Sequence, residues 1–410
     1  MVVDEPASPR GGRSRGGTRR AATVLVAATA LLFLFPAQAR AEVQVRGKLY
    51  PEFARIRLGE ARPPDQPAGT LSAPGGEGAA MAATNLLSSN SYIAFLGSES
   101  LGPRQEVFWH YERGVNLGTG EKSARDAFVG LRSGAVTVRL GLMDTVYKDL
   151  GDRLRFFGLS SGNFVSSSTI LSKPAIGDSS AASFHLRRAD SIRIDTDESA
   201  RLSAHLQYSP DESGSTSRNA DLLSVGAVYR DGPWYVSLAH ERHRDFFGGS
   251  RSSPAVFRND RDPEASSDDW GTRLAVVYRL SKSVRVEANY AWLRYREKSS
   301  VAGRFASLRD DAWKVATEYR SGDWRAQVSL VGGAVGSCTL QQGAPCDVTG
   351  QDGWMLNVGL GRALSRRTLL FALAGWLENG AGASYNPTEN FDVLGGQSVR
   401  HFAAGILHVF

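Results

Sequence analysis

The residues of this chain that could do chemistry are few: two cysteines, seven histidines and a scatter of charges at alternating positions. His240 and His243 are three apart. On a strand that spacing puts them on opposite faces, so no shared metal is expected from them. Ser, His and Asp all occur, but no nucleophile elbow is present and catalysis is not implied. Gly359 and Gly361 read as positions of close backbone approach within a strand, not as a nucleotide loop. What remains is electrostatic chemistry. Glu106, His110 and Glu112 alternate with Val107, Trp109 and Tyr111, and Arg139 alternates with Val138 and Leu140 beside Thr137. Arg187 and Arg193 share a face with Ser191, opposite Ile192 and Ile194. Between these runs lies a long segment, Asp144 to Phe184, holding the acids Asp144, Asp149, Asp152 and Asp178 together with Lys148, Arg153, Arg155 and Lys173. Charges of both signs at alternating positions mark faces that must meet water, and nothing in them calls for a cofactor.

Such residues need elements that hold one polar face toward water. Beyond Glu42 the sequence alternates with period two and shows no useful helical period. The segments are Val43–Arg57, Ser89–Ser98, Gln105–Leu117, Ala124–Arg132, Ala135–Met143, His185–Asp195, Arg201–Ser209, Leu222–Arg230 and Trp234–Phe246. Then follow Trp270–Leu280, Val284–Arg296, Ala312–Arg320, Trp324–Gly333, Gly353–Arg362, Arg367–Leu377 and Val399–Phe410. This predicts about sixteen strands. Their connections alternate between short, as at Ser133-Gly134 and Asp231–Pro233, and long, as at Leu58–Ser88, Asp144–Phe184, Phe247–Asp269, Glu297–Asp311, Ala334–Asp352 and Glu378–Ser398. A β-sandwich has no reason to keep that parity, whereas a membrane barrel does.

The N-terminus supports export. Arg10, Arg13, Arg15, Arg19 and Arg20 precede an apolar stretch from Ala21 to Phe35, and small residues around Ala39 and Ala41 offer cleavage sites. Residues 1–41 are therefore expected to be a signal peptide, and residues 42–410 the barrel. The leader carries six of the 48 basic and two of the 42 acidic residues, so the remainder holds 42 against 40 and gives no reason to expect a nucleic-acid partner. Mean hydropathy is −0.25, which a membrane protein tolerates only if alternate residues face water. Lipid crossed without apolar helices requires a closed antiparallel β-barrel. Trp234, Trp270, Trp313 and Trp324, near strand ends, fit its interfacial girdle. Phe402, Ala404, Ile406, His408 and Phe410 form a closing strand ending on an aromatic.

These segments carry a resemblance. Gly97-Ser98-Glu99-Ser100-Leu101-Gly102, Trp109 to Leu117 (WHYERGVNL), Phe128-Val129-Gly130-Leu131, Asp190-Ser191-Ile192 with Asp195, Leu364-Ser365-Arg366-Arg367-Thr368 and Gly405 to Phe410 (GILHVF) occur in the order seen in the general diffusion porins of Gram-negative bacteria, most closely the proteobacterial type. The resemblance implies a sixteen-stranded outer-membrane barrel, usually a homotrimer, whose third loop folds inward and narrows a water-filled channel for small hydrophilic solutes and ions. That loop would be Asp144–Phe184. On the facing wall Lys48 and Arg125 fall where the family places pore-facing basic residues, joined by Arg139, Arg187 and Arg193, with Glu106 and Glu112 as lumen acids. Tyr92 and Leu96 stand where relatives carry basic residues, so the basic ladder is thinner. Phe410 would be the signal read by the barrel assembly machinery, and outer-membrane lipid the surrounding partner. Cys338 and Cys346, in one predicted external loop of an oxidising envelope, are expected to form a disulfide, since neither has a nearby His to complete a metal site. A substrate-selective channel and a barrel adhesin acting through its external loops remain as alternatives.

Overall fold

The computed structural model describes residues 42–61, 78–88, 90–158, 165–177, 179–211, 220–387 and 392–410; the expected leader and Asp178 lie outside them. The alternating segments form one antiparallel sheet that closes on itself. Strand β1 has two halves, Glu42–Leu49 and Glu52–Leu58, and so has β2, Met81–Leu87 and Tyr92–Gly102. Then come β3 (Gln105–Val115), β4 (Lys122–Ser133), β5 (Val136–Asp144), β6 (Arg187–Thr196), β7 (Leu202–Asp211), β8 (Ala220–Asp231), β9 (Trp234–Arg244) and β10 (Ser266–Arg279). The rest are β11 (Val284–Lys298), β12 (Phe305–Ser321), β13 (Trp324–Leu340), β14 (Asp352–Ala363), β15 (Thr368–Asn379) and β16 (Val399–Val409). Each strand pairs with its sequence neighbours, and β16 pairs back onto both halves of β1, giving a closed sixteen-stranded barrel.

The break in β1 has a local cause. Pro51 has no N–H to donate to the ladder. Tyr50 N instead donates to Ser91 Oγ at 2.7 Å, and Pro51 O accepts from Ile406 N at 3.1 Å. Closure of the ladder is completed by Phe410, which exchanges two backbone hydrogen bonds with Gly47 at 3.0 Å each.

Several strands run further than hydrophobic alternation indicates. β2 begins at Met81, within the expected Leu58–Ser88 loop, because Met81–Leu87 pairs with Glu52–Leu58. β12 begins at Phe305 and β13 ends at Leu340, so the expected loops Glu297–Asp311 and Ala334–Asp352 are shorter. Alternation stops where the outer face leaves the apolar band, whereas backbone pairing continues beyond it. Cys338 accordingly lies within β13, not in a loop, and bridges to Cys346 with Cα atoms 5.1 Å apart.

Outward positions carry the apolar residues, among them Val43, Val45, Phe53, Val129, Leu140, Leu238 and Leu360. Two aromatic bands flank them. Tyr229, Trp234, Tyr319, Trp324 and Phe410 ring the end with short turns, and Tyr290, Trp313, Trp354 and Trp376 ring the other, the positions of headgroup-level girdles. The long-to-short parity holds, with tight turns such as Ser133-Gly134 and Ser321-Gly322 using glycines at φ 58° and 54°.

The disulfide yields a first prediction. Its short loop lies beyond the apolar band, so the Cys338→Ser/Cys346→Ser variant should lose only about 2–3 kcal/mol of local stability. It should keep wild-type heat-modifiable gel mobility and conductance. Two alkylatable thiols in unreduced wild-type protein would show the bridge does not form.

Candidate functional site

The segment between β5 and β6 turns inward and lies on the inner wall. Its first helix, α1 (Val146–Gly151), is capped by Thr145, whose hydroxyl accepts from Lys148 N. The helix buries Val146, Tyr147 and Leu150. Tyr147 N donates to Ser224 Oγ at 3.0 Å, and Leu150 O accepts from Ser237 Oγ at 2.8 Å and Tyr235 Oη at 3.3 Å. Beyond it Arg153 N and Leu154 N both donate to Glu287, and Lys314 Nζ donates to Asp152 and to Leu154 O. Gln327 then clamps the chain from both sides, accepting from Phe157 N at 3.0 Å and donating to Arg155 O at 3.3 Å. Phe156 and Phe157 rest on Gly359 and Gly361, where an added Cβ would sit 3.0–3.1 Å from the rings. These two glycines are thus sites of close approach, by an aromatic loop.

The return path is held in the same way. Ile170 lies over Gly333. Ala175 N donates to Asp310 at 2.9 Å, and Ala175 O accepts from Ser384 N at 2.8 Å. Tyr295 Oη donates to Ala182 O at 2.6 Å, and Phe184 stacks on His243 with centroids 4.5 Å apart. The loop is therefore seated on strands β8 to β15. Strands β1 to β5 remain as the facing wall of the passage.

Seating is electrostatic at its centre. Lys314, Glu287 and Asp152 have side chains at most 4 % exposed, and a buried charge persists only with partners. Burial alone would push the Asp152 carboxyl up; the Lys314 ammonium and Arg273 guanidinium prevail and hold it below its usual range. A depressed carboxylate stabilises the seat above its ordinary pKa, and that contribution is lost as pH falls through the lower value. The Asp152 contribution should therefore persist above the ordinary carboxylate range, and conductance should become larger or noisier below about pH 4. A steady decline in bilayer current on acidification would contradict this.

The other residues expected at the passage fall into three groups. At the foot of the loop, Asp144 pairs with Lys148 and Arg187 at 2.9 Å each, Arg187 also reaches Asp126, and Asp149 meets Arg193 at 2.9 Å. Nearer the short turns, Arg139 bridges Asp195 and Glu198 at 2.9 Å, and Glu106 bonds Arg132 at 2.6 Å. On the facing wall, Glu112 pairs with Arg125 and His110. Lys48 and Arg125 both lie over the Tyr92 ring, at 5.5 and 5.1 Å from its centroid. Tyr92, which replaces a basic residue in the expected ladder, thus carries two cations on its π face. Arg155, from the loop, acts electrostatically on Lys48 together with Arg125 and Glu112.

Sequence reasoning missed Lys314, Glu287, Gln327 and Asp310. The inward orientation of Lys314, Glu287 and Gln327 was readable by alternation with Trp313, Val315, Ala288 and Val328, whereas Asp310 falls in the expected Glu297–Asp311 loop; their partners on the inward loop were not readable. It also missed a second cluster. Asp195, Glu198 and His205 bring ligand atoms within 4.8 Å of one another, but Arg139 and Arg193 occupy those carboxylates. Ser203 Oγ, His205 and Asp195 also form a relay, at 3.2 and 2.6 Å. Ser203 is 1 % exposed and bound by Arg230, and its strand's backbone is committed to the ladder, so no reachable nucleophile or oxyanion hole results.

Comparisons with known proteins agree with this geometry. The family profile described as Gram-negative porin matches residues 21–382. The major outer membrane protein P.IB of Neisseria meningitidis is 26% identical over 326 residues, covering 78% of this chain and 84% of that protein. That of Neisseria gonorrhoeae is 27% identical over 311 residues, covering 72% and 79%. Among solved structures, an anion-selective porin from Comamonas acidovorans superposes with TM-score 0.67 at 14% identity, over 90% of this chain and all of that one. The trimer form of OmpT from Vibrio cholerae gives 0.61 at 14% identity, over 90% and 99%.

Proposed function

The chain belongs to the Gram-negative porin family, and on that premise we propose that its constriction favours anions. As a porin it forms an outer-membrane channel for passive diffusion. The reading of preference is carried by one observation: the described loop acids are paired within the loop's own seat and foot, while Arg125 and Arg155 act on Lys48 at the facing wall. Asp144, Asp149 and Asp152 each have a cationic partner within the same ion-pair clusters. Among the described residues Glu112 is the carboxylate that pairs directly with Arg125 at the facing wall, while Lys48 and Arg125 share the Tyr92 ring, which favours positive charge where solvent screening is weakest. The architecture is shared with a porin described as anion-selective, which supports the same direction.

The remaining parts of the reading follow the family. The working unit is a homotrimer embedded in outer-membrane lipid, in keeping with the trimer form of the Vibrio cholerae neighbour. Export uses a leader over residues 1–41, and insertion uses the barrel assembly machinery acting on the Phe410 strand.

Planar-bilayer recordings in a salt gradient test the preference. Wild-type reversal potential should lie on the anion side, and Arg125→Glu should move it toward cations. The substitution also leaves Glu112 facing a second carboxylate, so Arg125→Gln should move it the same way by less. A cation-preferring wild-type channel would sink the proposal.

A further inference from the structure

A second basic feature lies at the other level of the lumen, at the end bearing the short turns. There a cleft of about 340 Å³ is lined by Arg320, Arg325, Arg366 and Arg367, with Asp323 the carboxylate among its lining residues. Behind it stands Glu318, whose side chain is fully buried. Glu318 accepts from Arg285 Nε at 3.0 Å, from Arg320 Nε at 2.8 Å, from Gln327 Nε2 at 2.9 Å and from Arg325. One carboxylate therefore fixes three guanidiniums. Arg320 is held through Nε alone and is 53 % exposed on the cleft side. A hollow of about 560 Å³ adjoins, sharing Arg367 and Val409 and adding Arg46.

A structural role needs one arginine for Glu318, not three. Crowding like charges costs energy unless a counter-charge joins them. With Arg285, five guanidiniums face Asp323 in the lining and Glu318 behind it, an excess of three positive charges among these residues. Planar forks held from behind by a carboxylate suit a tetrahedral oxyanion, which offers several acceptor oxygens at once. We infer that this cleft, at the periplasmic mouth, binds a doubly charged oxyanion of the phosphate class, as free phosphate or as the phosphoryl group of a monoester. The cleft abuts the loop seat through Arg325, whose guanidinium lies 5.5 Å from the Phe157 ring centroid, and the inference stands whether or not anions are preferred at the constriction.

Titration calorimetry on the folded, detergent-solubilised full-length channel at about pH 8, where phosphate is a dianion, tests it. Inorganic phosphate should bind wild-type protein saturably. Arg320→Gln/Arg366→Gln/Arg367→Gln should weaken binding at least about tenfold, since each lost contact is a charge-assisted bond. Arg242→Gln, paired with Asp268 at the far, long-loop end of the barrel, should leave it within about twofold. Arg366→Gln/Arg367→Gln, confined to an exposed turn, must still weaken binding even if the triple variant assembles poorly by heat-modifiable mobility. Glycerol phosphate binding more tightly than inorganic phosphate would make the monoester the occupant; the reverse would make it the free ion. No saturable binding to wild type overturns the inference. So does unchanged binding by Arg320→Lys/Arg366→Lys/Arg367→Lys, because charge without forks would then suffice.

Discussion

Freeing the inward loop from its wall should raise single-channel conductance several-fold. The wall holds the loop through a few buried polar contacts: Lys314 on Asp152 and Leu154 O, Glu287 on two backbone amides, and Gln327 on Phe157 N and Arg155 O. Lys314→Met leaves Asp152 and Glu287 buried without the ammonium they share. Breaking one partner of a buried pair costs roughly 3–5 kcal/mol. The protein can escape that cost by lifting the loop, because the barrel ladder does not depend on it. Excision of residues 153–176, bridged by a short Gly-Ser linker, removes the narrowing outright and sets the upper limit. Lys314→Met should give a noisy conductance between wild type and that limit. Shortening the loop between the β1 and β2 halves that span Leu58 and Met81 should change conductance little. If excision leaves conductance unchanged while gel mobility reports a folded barrel, the Asp144–Phe184 loop is not the constriction.

Disrupting the pairing of Phe410 with Gly47 should cost most of the folded protein in the membrane. The Phe410 ring covers Gly47 so closely that an added Cβ would lie 2.3 Å from Cζ. Its backbone supplies the two hydrogen bonds that extend the β1–β16 seam beyond Leu49–His408 and Lys48–Val409. An open seam in lipid exposes unpaired backbone groups, each costing several kcal/mol. Gly47→Val forces the ring away and should lower heat-modifiable, outer-membrane protein severalfold. Phe410→Ala removes the ring but keeps the backbone bonds, so its effect separates side-chain recognition during assembly from seam closure. Single channels of the Phe410→Ala protein that does assemble should conduct as wild type. Wild-type yields for both variants would remove the seam and the terminal aromatic from the assembly argument.

The sequence alone determined the architecture, because strand alternation in a barrel is forced by its two solvents. Every inward residue must tolerate water or the loop, and every outward residue must tolerate lipid, so period two persists through strands such as β5 and β9 and remains legible without a partner. Loop parity was equally legible, as both chain ends of an even-stranded barrel lie on one side. Ladder length was not. Met81–Asn85 and Phe305–Asp311 pair by backbone hydrogen bonds at the margin of the apolar band, where side chains no longer report the strand. Cys338 was assigned to a loop for that reason, although its bridge to Cys346 was foreseen from compartment and proximity.

Only the tertiary structure decided which charges meet. Asp144, Asp149 and Asp152 look alike in sequence, yet the first two anchor the loop's foot on Arg187 and Arg193, and the third crosses to Lys314, 162 positions away. Tyr92, which stands at a basic position of the expected ladder, carries Lys48 and Arg125 over its ring, a contact that no local pattern announces. Local periodicity fixes the face a side chain takes. Its partner depends on the path of a long loop through the lumen, and that path is set by buried pairs and glycine gaps far apart in the chain.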